Sequence, residues 1–135
     1  MLVVDASVLA TALADDGADG DSARGRLRGQ DMAAPELIDL EVVSVLRRQL
    51  SVGKLDTRRA RLALDDLLEL SVQRVPHRAL LRRCWELRDK LSVYDAAYVA
   101  LAETLEAPLV TADARLAKAP GVTCTVEVLR TRSDP

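Results

Sequence analysis

The chain has 135 residues, 49% of them hydrophobic, and a formal net charge of −2. That length suits one domain with a real core, and no stretch approaches the roughly 20 apolar residues of a membrane span. Trp85, Tyr94 and Tyr98 are its only aromatics, which argues against base-stacking modules, while the near-neutral balance offers nucleic acid no bulk attraction.

Met1-Leu2-Val3-Val4 reaches Asp5 at once. With no basic region before it this is not a signal peptide, so a cytoplasmic protein is expected. Leu2–Val4 reads as a strand. Residues 6–14 carry Val8, Leu9, Ala12 and Leu13 on one helical stripe. A polar helix spans about 19–28 and ends at Gly29. A brief segment, 32–34, leads to Pro35, a good first-turn residue for a long helix over 36–52 that stops at Gly53. Asp56 is the expected cap of a helix over 57–70. Ser71–Val75 alternates like a strand. Residues 77–90 return to helical spacing, with His77 at the start as a surface residue and Trp85 as a packing anchor. A helix over 94–106 follows, with Glu103 and Glu106 as solvated charges. A strand at 108–111, a short helix at 112–118, a last strand at 122–126 and a frayed polar tail at 130–135 complete the chain. The alternation predicts an α/β domain with a mostly parallel sheet and helices on both faces. Residues 1–135 are expected to form a single domain, and no repeats are seen. Cys84 and Cys124 form no C-x-x-C and are expected to be free thiols.

Four carboxylates stand in awkward places. Asp5 and Asp113 follow strands, at the carboxyl ends where open α/β sheets bind ligands; each could equally cap the next helix. Glu41 has Leu37, Ile38 and Val45 as helical neighbours. It therefore lies on or beside an apolar stripe, where it needs a partner such as an arginine. Asp95 faces Leu91, Tyr98 and Val99, or forms a capping box with Ser92. Taken together, the four suggest one acidic pocket. Four close carboxylates repel one another, and a divalent cation relieves that repulsion. Oxygen-only ligands favour Mg²⁺ or Mn²⁺ over zinc. Such a site suits phosphoryl chemistry. No P-loop, G-x-G-x-x-G or H-E-x-x-H is present. An aspartyl phosphatase would usually carry a second Asp two residues after the first, where this chain has Ser7.

The segments Val4-Asp5-Ala6-Ser7-Val8-Leu9, Tyr94-Asp95-Ala96-Ala97-Tyr98 through Glu103, and Leu109-Val110-Thr111-Ala112-Asp113, with the Glu41 helix between them, resemble the PIN-domain ribonucleases. More narrowly they resemble the VapC toxins of bacterial toxin–antitoxin pairs. The resemblance implies a three-layer α/β/α fold with about five strands in its sheet. It implies Asp5, Glu41, Asp95 and Asp113 as a catalytic quartet holding Mg²⁺ or Mn²⁺, with Asp5 and Asp95 as direct ligands. Ser7 and Thr111 would support them. It further implies hydrolysis of RNA phosphodiesters, a homodimer, and inhibition by a VapB-type antitoxin. A non-catalytic PIN-like binding module and a metal-dependent phosphatase are the alternatives.

Setting the four acids apart from the 21 leaves 17 against 19 Lys and Arg. Nearly all the positive charge is arginine, which grips phosphate bidentately. Arg24, Arg26 and Arg28, and then Arg47 and Arg48, are the candidate RNA contacts.

Overall fold

A computed structural model describes residues 1–130. The tail expected at 130–135 lies outside the described residues, Arg130 excepted.

Five parallel strands form one sheet in the order β3-β2-β1-β4-β5. They are β1 (Leu2–Val4), β2 (Met32–Pro35), β3 (Val72–Val75), β4 (Leu109–Thr111) and β5 (Val126–Val128). Among the described residues, seven α-helices connect them: α1 (Ala6–Ala14), α2 (Ala18–Leu27), α3 (Leu37–Ser51), α4 (Thr57–Glu69), α5 (Leu81–Glu86), α6 (Val93–Leu105) and α7 (Ala114–Lys118). Successive strand residues point to opposite faces, yet every residue of β1 and of β4 is buried. Both faces of the central sheet are therefore covered, as parallel sheets require. Helix α6 packs across β1, β2 and β4, and α1 packs on α2, α3 and α4.

Pro35 ends β2 and does not open a helix. Glu36 N–H donates to Val75 O, so the missing N–H of Pro35 faces β1, whose pairing stops at Ala33. No ladder bond is lost. The next amide, Leu37 N–H, donates to His77 Nε2 at 2.9 Å. An imidazole forty positions away thus satisfies an orphan donor at the start of α3. His77 is half-buried by this contact, so it is not a plain surface residue. Asp56 caps α4 as expected, accepting from Arg59 N–H at 2.7 Å.

The region 77–90 is not one helix. A 3₁₀ turn (Arg78–Leu80) precedes α5, which ends at Glu86. Leu80, Cys84 and Leu87 occupy the buried stripe at helical spacing. Trp85, next to Cys84 and so about 100° round the helix, is 66% exposed with the Arg88 guanidinium over its ring. It is not a packing anchor.

The last strand begins at Val126, later than the expected 122–126. Thr123 explains the delay, because its N–H and Oγ1 both donate to the Glu103 carboxylate, at 2.9 and 2.6 Å. The segment is tied to α6 before it can join the ladder. Glu103 is accordingly no solvated charge. Arg83 grips it at 2.7 Å and, with the Thr123 donors, holds its carboxyl down at about 2. Cys84 and Cys124 are free thiols.

The carboxyl end of α1 is clamped by two arginines. Arg24 Nη1 donates to Ala12 O and Asp15 O, at 2.9 and 2.7 Å. Arg59 Nη2 donates to Leu13 O at 2.8 Å and its Nε to Asp16. Two cations thus meet the orphan carbonyls and the negative end of the helix dipole. Helix α2 presses close here: a Cβ on Gly20 would fall 1.8 Å from Asp15 O.

Candidate active site

Asp5 leaves β1 and occupies the N-cap position of α1, but its side chain makes no cap hydrogen bond. Its Oδ2 instead accepts from Thr111 Oγ1 at 2.6 Å and Ser7 Oγ at 3.1 Å. Asp5 and Thr111 are the two buried polar residues among those described, at 8% and 0% exposure. Ser7 Oγ also accepts from Ala112 N–H, and Thr111 Oγ1 from Asp113 N–H, at 3.1 and 3.0 Å. A local turn role for Ser7 and Thr111 therefore coexists with a grip on Asp5, and these bonds tie the carboxyl end of β1 to that of β4.

Glu41 has no arginine partner among the described residues. Tyr98, 1% exposed on α6, donates its hydroxyl to Glu41 Oε1 at 2.6 Å. Burial is the main force raising the Glu41 carboxyl, and the Tyr98 hydrogen bond opposes it. The nearby charges of Asp5 and Asp95 raise it further. The Asp95 carboxyl is also raised, first by burial, then by Asp5, with a smaller push from Asp113. Ser92 Oγ accepts from Asp95 N–H at 3.1 Å, so half of the expected capping box is present. The Tyr98 hydroxyl is driven far up by burial and by its bond to Glu41. Asp113 caps α7 through Arg115 N–H at 3.0 Å. The Arg115 guanidinium also grips it, as close as 2.6 Å, and holds its carboxyl below the usual range.

Asp5, Glu41 and Asp95 therefore feel one another's charge, and Asp113 joins through Asp95. The donors are all carboxylate oxygens, a set that suits a hard divalent ion. Their mutual repulsion is what such an ion would relieve. In chemistry the residues fit Mg²⁺ or Mn²⁺. In the arrangement described, the Asp5 carboxylate accepts from Thr111 and Ser7, that of Glu41 from Tyr98 and that of Asp113 from Arg115, while Ser92 holds the Asp95 backbone N–H. No three His, Cys, Asp or Glu among the described residues stand together closely enough to hold a metal.

The expected RNA contacts divide. Arg24 holds the end of α1, and Arg26 forms a two-pronged pair with Glu127. Arg28, Arg47 and Arg48 are exposed. The residue whose role the sequence hid is Tyr98. It lies three positions after Asp95 and so on the same helical face, which was the available signal.

A profile of the PIN domain matches residues 2–122. The chain is 43% identical to Ribonuclease VapC1 of Mycobacterium tuberculosis (strain ATCC 25618 / H37Rv) over 129 residues, covering 95% of this chain and 97% of that protein. It is 42% identical to Ribonuclease VapC9 of the same strain, covering 96% and 98%. Among solved structures, Mycobacterium tuberculosis VapC20, described as a sarcin-ricin loop cleaving toxin, superposes with a TM-score of 0.70 at 17% identity over 91% and 97% of the two chains. That likeness is one of fold. A protein from Pyrobaculum aerophilum gives a TM-score of 0.66 at 29% identity, over 94% and 83%.

Proposed function

The chain belongs to the PIN-domain family, among the VapC ribonucleases, and from that membership we propose that it is a Mg²⁺- or Mn²⁺-dependent endoribonuclease. In this reading it is the toxin of a toxin–antitoxin pair, works in the cytoplasm as a homodimer, and is silenced by a VapB-type antitoxin. The observation that carries the reading is the convergence of like charge: Glu41 and Asp95 are raised by Asp5, and Asp95 also by Asp113. A fold that gathers carboxyls of like charge beside the carboxyl ends of its central strands gives up stability at a place where ligands bind.

Asp5 and Asp95 would be the direct ligands of the ion, and Glu41 and Asp113 would act through water or orient it. The ion, when bound, supplies positive charge against the phosphate and makes water more acidic. Thr111 and Ser7 fix the rotamer of Asp5. Tyr98 holds Glu41 by one oxygen, leaving the other to accept from water. Arg115 holds Asp113 and adds a cation next to the acids.

The deciding experiment is RNA cleavage by the wild type and by Asp95→Asn, with Mg²⁺, with Mn²⁺ and with chelator. Cleavage that needs the ion and vanishes in Asp95→Asn supports the reading. Cleavage that persists in chelator, or full activity in Asp95→Asn, overturns it. A non-catalytic PIN-like module is the second reading. Its support is that no three acids already stand at ligating distance among the described residues. Failure to bind Mn²⁺ in a titration, together with absent cleavage, would favour it.

A further inference from the structure

We propose that Lys90 and Lys118 form a cationic wall that carries the phosphodiester backbone of the substrate RNA past Asp95 and Asp113. The inference rests on the ribonuclease reading and gives the strand a path at that same site. A cavity of about 520 Å³ opens beside the acids, lined by Asp95 and Asp113 together with Lys90, Arg115 and Lys118. Of the three lysines in the whole chain, two line this one cavity. None of Arg24, Arg26, Arg28, Arg47 and Arg48 lines it.

The three cations differ in how they are held. The Arg115 guanidinium is bound to Asp113. Lys90 and Lys118 are exposed, and neither side chain has a hydrogen-bond or ion-pair partner among the described residues. Their backbones are nevertheless fixed. Lys118 is the last residue of α7. Lys90 closes the turn after α5, its N–H donating to Leu87 O at 2.9 Å. The Lys90 stem lies over Gly121: a Cβ there would sit 3.6 Å from Lys90 Cδ. At φ +82 Gly121 also holds a conformation that disfavours other residues.

A strand approaching this site brings one negative charge per phosphate toward four carboxylates, so it needs compensating charge close by. Two exposed ammonium groups on fixed backbone supply it. Lysine acts on phosphate as a point charge and reads no base, so the groove positions the strand without selecting a sequence. This also answers the poverty of aromatics, since backbone tracking needs none.

The test compares Lys90→Gln/Lys118→Gln with Lys54→Gln, which removes the third lysine from a site outside the cavity. Affinity for a labelled single-stranded RNA is measured in the Asp95→Asn background across a salt series, and cleavage in the active protein. The double variant should bind about tenfold more weakly near 0.1 M salt. Its slope of log Kd on log salt should fall by about 1.4, for two lost contacts to a single strand. In cleavage KM should rise by a similar factor, with kcat within about threefold of wild type, while Lys54→Gln matches wild type. Unchanged affinity and salt slope in the double variant overturn the groove; if the wild type still cleaves, the ribonuclease reading survives. Lysine-dependent RNA binding without cleavage keeps the groove and overturns the enzyme. A wild type that neither binds nor cuts RNA overturns both.

Discussion

The two ends of α1 treat charge in opposite ways. At its carboxyl end, Arg24 and Arg59 meet carbonyl oxygens and the side chains of Asp21 and Asp16, and the Arg59 hydrogen bonds hold the Asp16 carboxyl below its usual range. At its amino end, Asp5 shares its neighbourhood with Glu41 and Asp95, whose carboxyls are raised. One end sets arginines against carbonyl oxygens and carboxylates and so stabilises the fold. The other gathers like charges and is held by Thr111, Ser7 and Tyr98. The difference separates residues that hold the molecule together from residues positioned for chemistry.

The comparison is most exposed to Asp95→Asn. Activity should fall by at least about 10²-fold, as loss of a group that carries transition-state charge does. The melting temperature should stay level or rise, because one raised, repelled carboxylate is gone. A fall in melting temperature without a fall in cleavage would reverse the assignment of that end. At the opposite end, Arg59→Ala should lower stability by about 1–3 kcal/mol, through lost charge-assisted hydrogen bonds, in a denaturant titration. Its kcat should be unchanged.

Tyr98→Phe sharpens the same contrast. It leaves the half-buried Glu41 carboxylate without its donor, so kcat should fall about tenfold while the fold remains, as judged by circular dichroism. Away from both ends, the Glu103–Arg83 pair gives a pH test. The folded carboxyl, held at about 2, lies below its ordinary 4.5. Its stabilisation is therefore complete above about pH 4.5 and is lost as pH falls toward 2. Melting curves should show a loss on the order of 1–2 kcal/mol across that window, absent in Glu103→Gln. The smallest effect belongs to His77. His77→Ala should cost α3 about 1 kcal/mol, as loss of a helix cap does, and His77→Gln, which keeps an acceptor near the Nε2 position, should restore most of it.

Much of this was legible beforehand because it is local. A short apolar run located β1, an apolar stripe α1 and the stop at Gly53 the end of α3, and the cap at Asp56 marked α4. The four carboxylates stood out because each occupied a place where an isolated charge is costly. What the sequence hid depends on partners far along the chain. Glu41 was expected to seek an arginine and found Tyr98, 57 residues on. The shift of β5 toward the C-terminus follows from Thr123 being held by Glu103, which no reading of 122–126 alone contains. Trp85 read as an anchor because large aromatics usually are. Leu80, Cys84 and Leu87 had already filled the buried stripe. Among the arginines, those that bond carbonyl oxygens look the same in sequence as those that face water.

The sheet order places β1 in the centre, between β2 and β4. Of the described strands, the first in chain order must therefore wait for the fourth before its second edge is closed. Asp5 meets Thr111 across 106 positions, and Asp113 comes later still. A growing chain that stops short of residue 113 carries Asp5, Glu41 and even Asp95 but has no assembled site. Order along the chain and closure of the site thus differ: the first acid comes early, and Thr111, which holds it, comes late.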